Sequence, residues 1–87
     1  MRRFLISYDI SNNKSRKTAA NLLLDLGERI QRSVYIIEAT ENALNSLSSK
    51  ITDLLEDTDS LLILPCCHAC WEKARFAHAK KSIIIVV

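Results

Sequence analysis

Glycine and proline are almost missing from this chain: Gly27 and Pro65 are the only ones in 87 residues. So little of either excludes a long flexible linker and a low-complexity tail. No internal repeat is visible, and no apolar run approaches the roughly 20 residues of a membrane-crossing helix. The longest such run, Ile83 to Val87, is strand length. Met1-Arg2-Arg3-Phe4 moves straight into an alternating pattern, with no apolar signal-peptide core. Cysteine is present but odd in number, bunched at Cys66, Cys67 and Cys70, which does not make a disulfide framework. The expectation is a reduced, cytoplasmic protein with no membrane partner.

What the chain does have is apolar content, at 48% of its residues. Its length allows one domain, residues 1–87, whose own core is only marginally stabilising. An apolar surplus in so small a domain favours burial against a partner. Net charge is +2, unevenly spread. Residues 1–32 hold seven basic and three acidic side chains, residues 33–59 one and six, and residues 60–87 four and one. Basic ends around an acidic middle can set a cationic surface beside a phosphate backbone, although charge alone is equally met by a solvated surface.

Periodicity changes along the chain. Phe4, Ile6 and Tyr8 alternate with Leu5, Ser7 and Asp9, which is strand period. Ser11, Asn12 and Asn13 offer helix-capping oxygens. From about Lys14 to Glu28, Ala19, Leu22, Leu23 and Leu26 form one helical stripe, and Gly27 stands where a helix end favours a left-handed residue. Residues 29–39 alternate again, as one bent strand or two short ones. Thr40 can cap a second helix over about 41–57, with Leu44, Leu47, Ile51, Leu54 and Leu55 on its stripe. Ser60 to Leu64 reads as a central strand closed by Pro65. Residues 66–81 read as helical or irregular, and Ser82 to Val87 as a last β-branched strand.

This order predicts an α+β fold: a ferredoxin-like βαββαβ plait with two helices on one face of an antiparallel sheet. Its core covers about residues 1–65, followed by a basic, cysteine-containing tail and an extra strand at 66–87. The extra strand is surplus to the plait, and an exposed apolar edge invites pairing. The expectation is a homodimer in which this strand adds to the partner's sheet.

Three stretches carry a family resemblance: Ser7-Tyr8-Asp9-Ile10, Gly27-Glu28-Arg29-Ile30-Gln31-Arg32-Ser33-Val34-Tyr35, and Asp59-Ser60-Leu61-Leu62-Ile63-Leu64-Pro65. Together they resemble the CRISPR-associated protein 2 family, whose members carry a Gly…Arg-(Val/Ile)-Gln-x-Ser-Val-(Phe/Tyr) run. The resemblance spans nearly the whole chain. It implies a ferredoxin-like homodimer that joins the CRISPR integrase subunit in acquiring new spacers. It also implies a Mg²⁺-dependent endonuclease on RNA or double-stranded DNA. A toxin-type ribonuclease similar to the virulence-associated protein D family shares fold and opening motif. A non-catalytic scaffold supporting DNA is the other alternative.

Under that resemblance Asp9 is the catalytic and metal-binding candidate. It closes a strand, so its carboxylate can reach solvent, and Mg²⁺ takes only one or two protein carboxylates beside waters and phosphate oxygens. The plain alternative is an Asp capping the next turn. Arg16, Lys17, Arg29 and Arg32 are the expected phosphate contacts, since the guanidinium fork donates two hydrogen bonds at once. Arg16 and Lys17 fall in the first turn of a helix, where the dipole disfavours cations. Cys66, Cys67, Cys70, His68 and His78 hold a single Cys-x-x-Cys, whereas zinc usually takes two such knuckles, so free thiols are expected there. Trp71 and Phe76 are expected to pack the tail onto the sheet. Tyr8 and Tyr35 are read as core.

Overall fold

The nine described elements of the chain, in a computed structural model that describes residues 2–77 and 83–85, begin with strand β1, Arg2–Asp9. Helix α1 (Asn13–Leu24), strands β2 (Gly27–Gln31) and β3 (Val34–Ala39), and helix α2 (Glu41–Thr52) follow. Then come β4 (Ser60–Cys66), α3 (His68–Glu72), β5 (Arg75–Ala77) and β6 (Ile83–Ile85). The first four strands form one antiparallel sheet in the order β2-β3-β1-β4. Each helix therefore crosses over one intervening strand, which is the ferredoxin-like plait.

Local chemistry explains the element starts. Asn12 caps α1, its side-chain oxygen accepting the Ser15 N–H at 3.0 Å. Thr40 caps α2 in the same way through Ala43 N–H at 3.2 Å. Such caps satisfy donors that have no partner inside the helix. Both helices lie on one face of the sheet. Ala19 and Leu23 of α1, with Leu44, Leu47 and Ile51 of α2, pack on Phe4, Ile6, Tyr8, Tyr35, Ile37 and Ala39. Burying a side chain of Leu, Ile or Phe size contributes roughly 1.5–3 kcal/mol, so this single layer carries most of the hydrophobic stabilisation.

The pleat sends the alternate residues to the other face. There Leu5 lies between Ile36 and Leu64, and Ser7 between Val34 and Leu62. Leu62 and Leu64 are 50% and 46% exposed. This face of the sheet has no helix over its centre among the described elements.

Several expectations change. Gly27 is not a left-handed helix end: no glycine here has positive φ. It opens β2, where a Cβ would run into the carbonyl oxygen of Ile36 and come within 2.6 Å of Ile37 Cα. Glycine is needed for the close approach of two strands. Helix α1 correspondingly ends at Leu24 and α2 at Thr52, both earlier than their apolar stripes. Leu26, Leu54 and Leu55 still pack against the core from the connections. Residues 29–39 are two strands joined through Arg32 and Ser33, with a register irregularity between Arg29 and Gln31.

β4 is an edge strand of the four-stranded sheet rather than a central one, and it runs through Pro65 to Cys66. An edge strand leaves every second N–H unpaired, so a proline can sit there without costing a ladder bond. Beyond it the polar segment folds as α3 and β5. β6 pairs with β5 of its own chain, Arg75 opposite Ile85 and Ala77 opposite Ile83. Those residues have therefore found one neighbour inside the chain, which the sequence pattern did not reveal. Ser82, Val86, Val87 and His78 lie outside the described residues.

A candidate nucleic-acid interface at the end of strand β1

Strand β1 runs from Arg2 to Asp9, and its C-terminal end opens into a cleft of about 480 Å³. All five residues singled out from sequence line it: Asp9 from the strand end, Arg16 and Lys17 from the first turns of α1, Arg29 from β2, and Arg32 from the β2–β3 turn. The plait brings them together because β1 and β2 run parallel with β3 between them. The start of α1 and the β2–β3 turn therefore meet at one end of the sheet. Asn13 and Ser33 complete the polar lining.

The floor is made by two tyrosines. Tyr8 and Tyr35 are 5% and 0% exposed, as their reading as core residues requires, yet both also line the cleft. The rings stack at a centroid distance of 5.8 Å, and the two hydroxyl oxygens are 3.4 Å apart. Burial, then the hydrogen bond to Tyr35, pushes the Tyr8 phenol up to about 12. At neutral pH Tyr8 is therefore an uncharged hydroxyl, able to donate a hydrogen bond but not to serve as a base.

The walls are cationic and largely unspent. Arg16 reaches back to the loop, its Nη1 donating to the Ile10 carbonyl at 3.3 Å and its Nη2 to Asn13 Oδ1. Among the described residues, ion pairs join Arg2 to Glu41, Arg3 to Glu38 and His68 to Glu72. None engages Arg16, Lys17, Arg29 or Arg32. Asp9 is the one carboxylate in the lining. It is exposed, and the pleat puts it on the same side of β1 as Leu5 and Ser7. No cluster of three potential metal ligands occurs among the described residues. One carboxylate fits a Mg²⁺ ion only where phosphate oxygens and water complete its shell.

A second carboxylate matters in another way. Asp59, just before β4, accepts the N–H and the hydroxyl of Ser11, each at 3.1 Å, and the N–H of Glu56 at 2.9 Å. The Glu56 N–H, helped by both Ser11 donors, holds its carboxyl below the usual aspartate range. Asp59 thus ties the loop after Asp9 to the turn before β4. Sequence placed an acid at this position but gave no sign of the tie, because its partner lies 48 residues away.

The expected Cys/His segment lies apart from this cleft. Cys66, Cys67 and Cys70 are free thiols. Arg3 lies over the Trp71 ring at 5.1 Å, so Trp71 does pack the tail against the sheet.

Comparison with known proteins agrees with the fold. The family described as CRISPR associated protein Cas2 matches residues 1–74. The CRISPR-associated endoribonuclease Cas2 2 of Methanospirillum hungatei is 37% identical over 73 residues, covering 84% of this chain and 82% of the relative. A hypothetical protein of Thermus thermophilus has a crystal structure that superposes with a TM-score of 0.75 at 28% identity, covering 99% of this chain and 98% of that one. A chain of a partial Cas6-RT-Cas1–Cas2 complex shares the fold at a TM-score of 0.72 and 22% identity, covering 85% and 88%. With the match running from β1 through α3, and a relative 37% identical over most of both chains, this chain belongs to the CRISPR-associated Cas2 family.

Proposed function

We propose that this chain is a subunit of the CRISPR spacer-acquisition machinery that binds nucleic acid in the β1-end cleft and cleaves its phosphodiester bonds, with Asp9 as the catalytic and metal-holding residue. The observation that carries the reading is the cleft itself. It gathers four basic side chains that have no carboxylate partner among the described residues around one exposed aspartate. The endoribonuclease named among its relatives supports cleavage, with RNA as the first substrate to test. The Cas1–Cas2 assembly containing a chain of this fold supports an integrase partner.

In this reading Lys17, Arg29 and Arg32 hold the phosphates by charge and by bidentate hydrogen bonds. Arg16 keeps the β1–α1 loop in place and adds its charge. Tyr8 donates from the floor without changing protonation. Asp9 and phosphate oxygens of the bound strand hold a Mg²⁺ ion. When bound, that ion supplies Lewis-acid polarisation of the phosphodiester.

The acting unit is a homodimer. The open face carries Leu5, Val34, Ile36, Leu62 and Leu64 in adjacent rows, and a second copy is the natural cover for such a self-complementary surface. Asp9 ends the same side of β1, so pairing through this face sets two carboxylates near one axis. The free edge of β6 is a further place where the partner's sheet can add. Leu62→Lys together with Leu64→Lys should convert the dimer to folded monomer in sedimentation velocity. A dimer unchanged in this variant would refute pairing through the face.

Asp9→Asn keeps the shape and removes the charge. Mg²⁺-dependent cleavage should fall by about two orders of magnitude or more, while binding of the same RNA and dimerisation persist. Equal cleavage by both proteins would remove Asp9 from the mechanism. The lone carboxylate of the cleft supports a second reading, in which the dimer supports DNA for the integrase without cutting. That reading requires no cleavage by wild type and normal spacer acquisition with Asp9→Asn.

A further inference from the structure

A second reactive cluster lies at the other end of the sheet, where the chain leaves β4. Cys67 is the cap residue of α3, and its Sγ accepts the Cys70 N–H at 3.3 Å. A cap side chain that reaches the third helical residue lies beside that residue's own side chain. The Cys67 sulfur therefore sits against the backbone of Cys70, the neighbourhood that a bond between the two sulfurs of a Cys-x-x-Cys requires. Both thiols are exposed.

The neighbours are differently occupied. Cys66 is half-buried in β4, its Sγ–H directed to the Leu64 carbonyl at 3.8 Å. His68 Nε2 is 2.8 Å from Glu72 Oε1, so the imidazole is already engaged. Two thiols without a third ligand fall short of a zinc set, in keeping with the absence of a metal-binding cluster among the described residues. The two thiols are also unequal. The Cys70 N–H, followed by the Cys70 thiol, makes Cys67 more acidic than an ordinary cysteine. The neighbouring Cys67 thiol makes Cys70 less acidic. One sulfur is disposed to attack while the other keeps its proton, as in a dithiol exchange site.

We propose that Cys67 and Cys70 form a redox-active dithiol site whose substrate class is the low-molecular-weight disulfide, oxidised glutathione being the probe. The Cys67 thiolate attacks one glutathione sulfur, the glutathione S–S bond breaks, and one glutathione leaves and takes up a proton. Cys70 then loses its proton to solvent and attacks Cys67 Sγ. The mixed S–S bond breaks, and the second glutathione leaves with a proton. Two electrons pass from the protein dithiol to glutathione disulfide, giving one Cys67–Cys70 disulfide and two thiols. This site is independent of the cleft and of the nuclease reading.

The test incubates the full chain with oxidised glutathione at neutral pH, followed by thiol titration and peptide mass mapping. Free thiols should fall from three per chain to one, with a Cys67–Cys70 bond that dithiothreitol reverses. Cys66→Ser should lose the same two thiols. Cys70→Ser should retain glutathione on Cys67 as a stable mixed disulfide. Cys67→Ser, which keeps a capping hydroxyl, should react at least about tenfold more slowly. Three thiols persisting in wild type, a bond to Cys66 or between chains, or stoichiometric zinc held by Cys67 and Cys70 would each overturn the proposal.

Discussion

The two ends of strand β1 both gather basic residues and treat them in opposite ways. At the N-terminal end Arg2 and Arg3 meet Glu41 and Glu38 at 2.7 and 3.4 Å. Arg3 also lies over Trp71. At the C-terminal end Lys17, Arg29 and Arg32 have no such partner among the described residues, and Arg16 is held by a carbonyl and an amide rather than a carboxylate. Unpaired cations crowded around a cleft repel one another, which costs the folded state energy. Only a bound anion relieves that repulsion. A polyphosphate chain fits, because it offers repeated charge along the line of these side chains.

Four variants probe that contrast, beginning with the largest effect. Arg29→Ala with Arg32→Ala should lower the slope of log affinity against log salt by about 1 or more for single-stranded RNA, since each lost phosphate contact removes about 0.7. Arg16→Ala should lower it less, because its guanidinium already serves the loop. Fluorescence anisotropy over a salt series measures both. Equal slopes in all three proteins would return these residues to ordinary surface charge.

Asp59→Asn comes next, because the cleft end depends on a loop clamp instead of ion pairs. The Asp59 carboxyl is held low when folded, so it adds stability above its unfolded value of about 3.9. That contribution fades as pH falls through the lower folded value. The variant should therefore be less stable than wild type at neutral pH, and the two urea midpoints should converge in acid. A gap that stayed constant down to acid pH would assign the loss to shape rather than charge.

Arg2→Ala should do least. Its pair with Glu41 is mostly solvent-exposed, and such pairs contribute between 0 and about 1 kcal/mol. RNA affinity and its salt slope should stay at the wild-type level. A slope reduced as far as in the Arg29/Arg32 variant would extend the binding surface to both ends of β1.

What the sequence determined by itself was local and periodic. Alternation placed Phe4, Ile6 and Tyr8 on one side of a strand, and the stripes of α1 and α2 named the residues that meet them. Thr40 marked one helix start and the Ser11-Asn12-Asn13 run the other, because a cap acts within three residues. The run from Gly27 to Tyr35 carried the family. Long-range contacts decided the rest. Gly27 answers to the backbone of Ile36 and Ile37 across a strand pair, which no local pattern expresses. Pro65 is tolerated because β4 is an edge, a property of strand order. The pairing of β6 with β5 is a strand-to-strand contact that composition did not signal. The five candidate site residues were chosen singly, from residue type and motif. Only the crossover of the plait set Asp9, Arg16, Lys17, Arg29 and Arg32 around one cleft, since a parallel β1 and β2 bring the start of one helix and a distant turn to the same end of the sheet.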